Sequence, residues 1–126
     1  MTDAKREAKQ CDDLARTMGY TVSNLEQRRA SNIALGLSDR RYQGKHAFFF
    51  ELKFGADRLT LEQCAFLTRE RHAGALASCG GLQELTDLLS ALQRAPLASA
   101  QSLCDIQIEE WADKGFRGGR TVRGAE

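Results

Sequence analysis

Three polar side chains, Asp39, Glu51 and Lys53, are spaced so that they could act together on one metal ion. The two acids lie symmetrically about residue 45, which falls inside the polar sequence QGKH, typical of a turn between two strands. In that register the acids face each other on one sheet face, and period-two alternation adds Lys53 to it. Two carboxylates suit a hard divalent cation such as magnesium or manganese. A metal ion held by two carboxylates beside an ammonium group could hydrolyse a phosphodiester bond.

The same residues have a simpler interpretation. Asp39, Glu51 and Lys53 could form an exposed ladder of ion pairs on an antiparallel hairpin, worth under about 1 kcal/mol. Spacing alone favours this ladder, so the surrounding elements and motifs have to decide between the two.

The elements around the hairpin predict an α/β fold of the α+β kind, in which helices flank a small central mixed sheet. The predicted elements are a helix over 3–18, a short strand through Tyr20 and Val22, the hairpin over 37–53, a helix over 60–73, a strand over 75–79 and a helix over 82–92. Residues 103–111 fit either a helix or a strand. We expect Phe48 and Phe50 to fill the core on the face opposite Glu51, and Leu61 to begin the inward stripe of its helix.

The composition is that of one compact soluble domain: 126 residues, 42% apolar, 28% charged and a single proline. The longest apolar run, 47–50, is far too short to cross a bilayer, so we expect no membrane partner. The charged N-terminus has no signal-peptide core, and we expect a cytoplasmic protein. The four irregularly spaced cysteines are expected to be buried, reduced thiols.

Charge is segregated along the chain. Five cations between residues 28 and 45 oppose Asp39 alone, and we expect them to offer a nucleic-acid backbone a positive channel, although ordinary solvation would also explain them. These cations are Arg28, Arg29, Arg40, Arg41 and Lys45. Residues 84–113 are acidic, and the glycine-rich segment 114–126 is basic again, like a mobile arm. That arm could contact a second subunit or fold back over the site.

The sequence GLSD over 36–39, the step to ELK over 51–53 and LTLEQ over 59–63 resemble the PD-(D/E)XK nuclease motif, and more closely that of the VRR-Nuc family. In that family a glycine and usually a proline precede the first aspartate, an apolar strand ends in Glu-x-Lys, and a Ser/Thr-x-x-Gln sequence starts a helix. The match covers most of residues 5–90. Ser38 departs from the pattern, because the family usually has proline there.

The resemblance implies a restriction-endonuclease-like core over 1–95, a C-terminal extension over 96–126, and a DNA endonuclease that depends on Mg²⁺ or Mn²⁺. Asp39 and Glu51 would bind the metal with the backbone carbonyl of Leu52, and Lys53 would position the attacking water. Small relatives are often homodimers that act on branched DNA such as Holliday junctions, in phage or bacterial replication and repair. The alternative is a non-catalytic nucleic-acid-binding or assembly module that retains the fold.

Gln63 and Glu7 each have two interpretations. Thr60 and Gln63 fit a capping box, whereas the resemblance directs Gln63 into the active site, and the two roles would compete for one amide. Glu7 lies on the inner stripe of the first helix, where an unpaired carboxylate is costly. Nuclease relatives often place a glutamate there as a metal ligand; otherwise Glu7 is a boundary residue that leans into solvent.

Overall fold

A computed structural model describes residues 2–25 and 36–118, which form a four-stranded mixed sheet flanked by helices. The elements are α1 Asp3–Thr17, β1 Thr21–Asn24, β2 Arg40–Gln43, β3 Ala47–Leu52, α2 Leu61–His72, β4 Leu76–Gly80, α3 Leu82–Arg94 and α4 Leu97–Asp113. The strands lie in the order β1-β2-β3-β4; β1, β2 and β3 are antiparallel, and β4 runs parallel to β3. The predicted α+β fold with a mixed sheet is confirmed.

The register of the β2–β3 hairpin is the one predicted from the sequence. Arg40 pairs with Phe50 and Tyr42 pairs with Phe48. The next pair in this register brings Asp39 opposite Glu51, at the end of the hairpin away from its turn.

The two faces of the sheet carry different cores. Phe48 and Phe50 are fully buried in a cluster that includes residues of α1 and α3, as predicted. On the other face Phe49 packs edge-on against Phe66 of α2, with ring centroids 5.1 Å apart. Residues that alternate along β3 therefore belong to two separate hydrophobic clusters, and Glu51 lies on the face that α2 covers.

The predicted start of the inward stripe of α2, at Leu61, is wrong, although Leu67 faces inward as expected. Leu61 is 44% exposed, whereas Gln63, Phe66 and Leu67 are buried. The reason is the capping box with Thr60, which fixes the start of the helix and turns a polar residue, Gln63, toward the sheet.

The ambiguous C-terminal element is a helix, α4, and it completes both cores. Cys104 joins the cluster under α1 and α3, and Ile108 and Trp111 join the cluster under α2. Because α4 contributes to the clusters on both faces of the sheet, it lies along the free edge of β4, the edge strand of the described sheet. There the Ser78 hydroxyl of β4 donates to Gln107 Oε1 at 2.6 Å.

After α4 the chain returns toward the start of α2. Phe116 packs against the cluster under α2, and the backbone N–H of Arg117 donates to the Leu59 carbonyl at 2.8 Å. All four cysteines are free thiols, and Cys64 alone among them is not buried. In the described part of the chain no helix has the length and apolar character that crossing a bilayer requires.

Candidate active site

A cleft of about 580 Å³ opens at the end of the sheet where β2 begins and β3 ends. Asp39, Glu51, Lys53 and Gln63 all line it, together with residues of α1 and Arg117. The structure therefore brings the four predicted catalytic residues into one open cavity.

Each of the two carboxylates accepts a hydrogen bond from a backbone N–H on the opposite side of the hairpin. The Asp39 N–H donates to Glu51 Oε1 at 3.1 Å, and the Leu52 N–H donates to Asp39 Oδ2 at 3.2 Å. Asp39 is 7% exposed and Glu51 is 1% exposed. The alternative of an exposed ion-pair ladder is wrong, because these side chains are buried.

Lys53 supplies the positive charge beside the acids. Its Nζ lies 3.4 Å from Glu51 Oε2, and the residue is 4% exposed. The Lys53 N–H donates to the Gly80 carbonyl at 2.9 Å, which extends the β3–β4 pairing by one residue beyond Leu52. This bond fixes the backbone of Lys53, so that its ammonium lies on the Glu51 side of the sheet.

Gln63 makes the capping-box contacts with Thr60 and also contacts a predicted site residue, Glu51. Its Oε1 accepts from the Thr60 N–H at 2.9 Å, its own N–H donates to Thr60 Oγ1 at 3.0 Å, and its Nε2 donates to Glu51 Oε2 at 3.0 Å. The end that faces the Thr60 N–H must be the oxygen, which leaves the NH₂ for the carboxylate. The predicted competition for one amide does not arise, because the two ends of the amide serve different partners.

The glycine of the GLSD sequence lets the chain approach α2. Gly36 has φ of +79°, and a Cβ there would overlap the backbone carbonyl of Glu62 in the first turn of α2. The segment that leads into Asp39 can thus lie directly against the helix start that carries Gln63. Ser38 is fully buried, and its Oγ has no hydrogen-bond partner in the described chain.

Glu7 contacts the N-terminal end of another element, α3. Its Oε2 accepts from the N–H of Leu82, the first residue of α3, at 2.9 Å, where a carboxylate also complements the helix dipole. Glu7 does not line the cleft. Over residues 2–25 and 36–118, no group of three or more His, Cys, Asp and Glu side chains is placed to hold a metal ion.

The predicted basic cluster is divided between the two faces of the sheet. Arg40 is buried and donates from Nε to Asp12 Oδ1 of α1 at 3.0 Å, and the Tyr42 hydroxyl donates to the same oxygen at 2.9 Å. This network ties β2 to α1. Arg41 instead lies over the Phe49 ring, 4.3 Å from its centroid.

The remaining predicted cations do not contribute a described contact to the cleft. Lys45 is exposed in the hairpin turn, at the opposite end of β2 and β3 from Asp39 and Glu51. Arg28 and Arg29 lie outside the described residues.

The cleft also has cationic residues outside the predicted basic cluster of residues 28–45. Lys5, Lys9 and Arg16 line it from α1, and Arg117 lines it from the C-terminal segment. The three α1 residues recur at helical spacing on the polar face of that helix, and this spacing, visible in the sequence, indicates a basic stripe beside the apolar one. Arg117 belongs to the basic segment 114–126, for which folding back over the site was one of two alternatives, and tertiary packing places it at the cleft.

Cys79 is the β4 partner of Glu51 and is the thiol nearest to the acids in the sheet register. Burial raises the pKa of the Cys79 thiol well above its ordinary value, and the neighbouring Glu51 carboxylate raises it further. Cys79 is therefore a protonated, inert thiol at neutral pH, not a nucleophile or a thiolate ligand.

The donor set suits a hard divalent cation. Two carboxylates and a nearby backbone carbonyl at Leu52, which also lines the cleft, offer only oxygen ligands. A divalent cation would bring further positive charge to these two poorly solvated carboxylates.

No family model, curated protein or solved structure matched this chain. The resemblance to the VRR-Nuc family thus depends on the motif residues themselves.

Proposed function

We propose that this chain is a metal-dependent nuclease that hydrolyses phosphodiester bonds in DNA with Mg²⁺ or Mn²⁺. The observation that carries the proposal is the buried pair of Asp39 and Glu51, linked through their strands, with Lys53 Nζ 3.4 Å from Glu51 Oε2 in an open cleft. Buried like charges destabilise a fold, and such groups cluster at functional sites.

Each residue has a distinct role in this proposal. The carboxylates of Asp39 and Glu51 would hold the ion, with the Leu52 carbonyl as a further ligand. The bound ion would supply charge stabilisation at the phosphoryl oxygen and activation of water. The Lys53 ammonium would orient the attacking water and offset negative charge as it develops. Gln63 is a positioning residue, because its Nε2 fixes the orientation of the Glu51 carboxylate.

The finer parts of the proposal come from the resemblance to the VRR-Nuc family. They are a preference for branched or Holliday-junction DNA, a homodimeric assembly, and a cytoplasmic role in replication or repair in a bacterial cell or phage-infected host. They fit a small domain in which the described chain presents one site.

One observation favours the alternative, a non-catalytic nucleic-acid-binding or assembly module. Glu51 accepts hydrogen bonds from Asp39 N–H and Gln63 Nε2 and pairs with Lys53, as a carboxylate in a structural network does. In such a module the acidic pair would only hold the hairpin against α2. A divalent ion would then change neither stability nor DNA binding.

The test compares supercoiled, linear and four-way-junction DNA, each with Mg²⁺, Mn²⁺ or EDTA. We expect cleavage with either metal, none in EDTA, and loss of about 100-fold or more in Glu51→Gln, which removes the ligand charge but retains the side-chain shape. Glu109→Gln, at an exposed position of α4, is the matched control and should cleave like the wild type. DNA binding that survives EDTA and Glu51→Gln, with no cleavage in any condition, would establish the non-catalytic module.

A further inference from the structure

We infer that Arg117 and Lys5 bind phosphates of the substrate backbone from two sides of the cleft. This inference rests on the proposed nuclease function and names the residues that hold the nucleic acid there. Both side chains line the same cleft as Asp39 and Glu51.

Arg117 is exposed, yet its position is fixed by two anchors. Its backbone N–H donates to the Leu59 carbonyl at 2.8 Å, and the preceding residue, Phe116, packs into the cluster under α2. Leu59 immediately precedes Thr60, whose capping box positions Gln63 against Glu51. The backbone of Arg117 is therefore attached to the same short segment that organises the acidic pair.

The Arg117 guanidinium is available to a ligand. Within the described ranges no carboxylate pairs with it and no side-chain hydrogen bond uses it. Arg40 is the contrast, because its guanidinium is buried against Asp12. An arginine that binds phosphate oxygens typically has a fixed backbone and an exposed, planar guanidinium that is not used by an internal partner.

Lys5 provides the other side of the cleft. It lies on α1, which packs on the sheet face opposite the α2 cluster that holds Phe116. The neighbouring cations Lys9 and Arg16 are both paired with Asp13, whereas no acid in the described chain pairs with Lys5. Cations thus line the cleft from elements on both faces of the sheet, in the same cavity as Asp39 and Glu51.

This charge pattern fits a polyanion better than a single small phosphate. A nucleic-acid backbone has phosphates on either side of the one being cleaved, and these flanking groups would meet Arg117 and Lys5 while the central one reaches Asp39 and Glu51. The cations at the rim would also offset the repulsion between the backbone and the acidic pair.

The test measures binding without cleavage. Fluorescence anisotropy with a labelled duplex of about 20 base pairs is recorded in EDTA over a series of NaCl concentrations. We expect Arg117→Ala and Lys5→Ala each to weaken binding several-fold at low salt and to lower the slope of log Kd against log salt by about 0.9, with the double variant losing about twice that. Arg94→Ala, an exposed arginine of α3 that does not line the cleft, should leave the slope unchanged.

The outcomes separate this inference from the nuclease proposal. Equal slopes for the wild type, Arg117→Ala and Arg94→Ala, in a wild-type protein that cleaves DNA, overturn the inference alone. The expected losses in a protein that never cleaves support the phosphate contacts and overturn hydrolysis. No DNA binding by the wild type at any salt concentration overturns both.

Discussion

Replacing Gln63 with glutamate should preserve the cap of α2 and disrupt the contact with Glu51, because the two ends of the Gln63 amide have different partners. Glutamate retains an oxygen for the Thr60 N–H and serves as well as glutamine in a capping box. At the other end it replaces the NH₂ donor with a second carboxylate, at the position now 3.0 Å from Glu51 Oε2.

The cost follows from that distance. Two unit charges 3.0 Å apart repel by about 5 kcal/mol at an effective dielectric constant of 20. The Lys53 ammonium, 3.4 Å from the same Glu51 oxygen, offsets part of this repulsion. We therefore expect the free energy of unfolding to fall by about 2–4 kcal/mol at pH 8.

The loss should depend on pH with a definite sign. In the folded variant the crowded carboxylates bind a shared proton more tightly than they do in the unfolded chain. Stability is therefore retained at low pH and lost as the pH rises. The loss in Gln63→Glu should be clearly smaller at pH 5 than at pH 8.

Thr60→Ala is the matched control for capping. It removes the acceptor for the Gln63 N–H and leaves the contact between Gln63 Nε2 and Glu51 in place, so we expect a loss of about 1 kcal/mol at both pH values. Urea denaturation followed by the fluorescence of Trp111, the single tryptophan and a buried one, measures both variants. The reasoning would be refuted if Gln63→Glu and Thr60→Ala lost the same free energy of unfolding at pH 8 and each lost the same amount again at pH 5.

Two further predictions concern buried groups outside the acidic pair. Asp12→Ala should cost about 3 kcal/mol in urea denaturation because it removes the carboxylate that pairs with the buried Arg40 guanidinium, whereas Asp13→Ala, at an exposed position, should change stability little; equal effects would contradict the assigned ion pair. Burial raises the pKa of the Cys11 thiol from 9.0 to about 12, so the stability it contributes is fully present below pH 9 and lost as the pH rises toward 12. The fall in unfolding free energy above pH 9 should be shallower in Cys11→Ala, and a thiol reagent at pH 8 should modify the partly exposed Cys64 before Cys11.

The strand register was predictable because it depends on local rules. The turn at QGKH and the period of two together placed Asp39 opposite Glu51, and the pairing of Arg40 with Phe50 confirms that register. The same alternation also puts Arg40 on the face opposite Asp39. Applied to the basic cluster, it would have indicated that Arg40 faces α1.

Contacts that depend on packing could not be read from the sequence. The pattern of α4 was ambiguous because a polar residue, Gln107, is buried there, with its Oε1 accepting from Ser78 and its Nε2 donating to the Glu84 carbonyl. The pattern of α2 misled for a similar reason at Gln63. In both helices a glutamine replaces an apolar residue on the inner face because tertiary partners satisfy its amide.

Gln63 joins the first turn of α2 to the acidic pair through a single side chain. The orientation of the Glu51 carboxylate therefore depends on the stability of that helix end. Helix ends open more readily than helix centres, and each opening of that turn would release Glu51 from the Gln63 amide while the rest of the molecule stays folded. On gradual warming, the proposed nuclease activity should therefore fall at temperatures where circular dichroism still reports a folded protein.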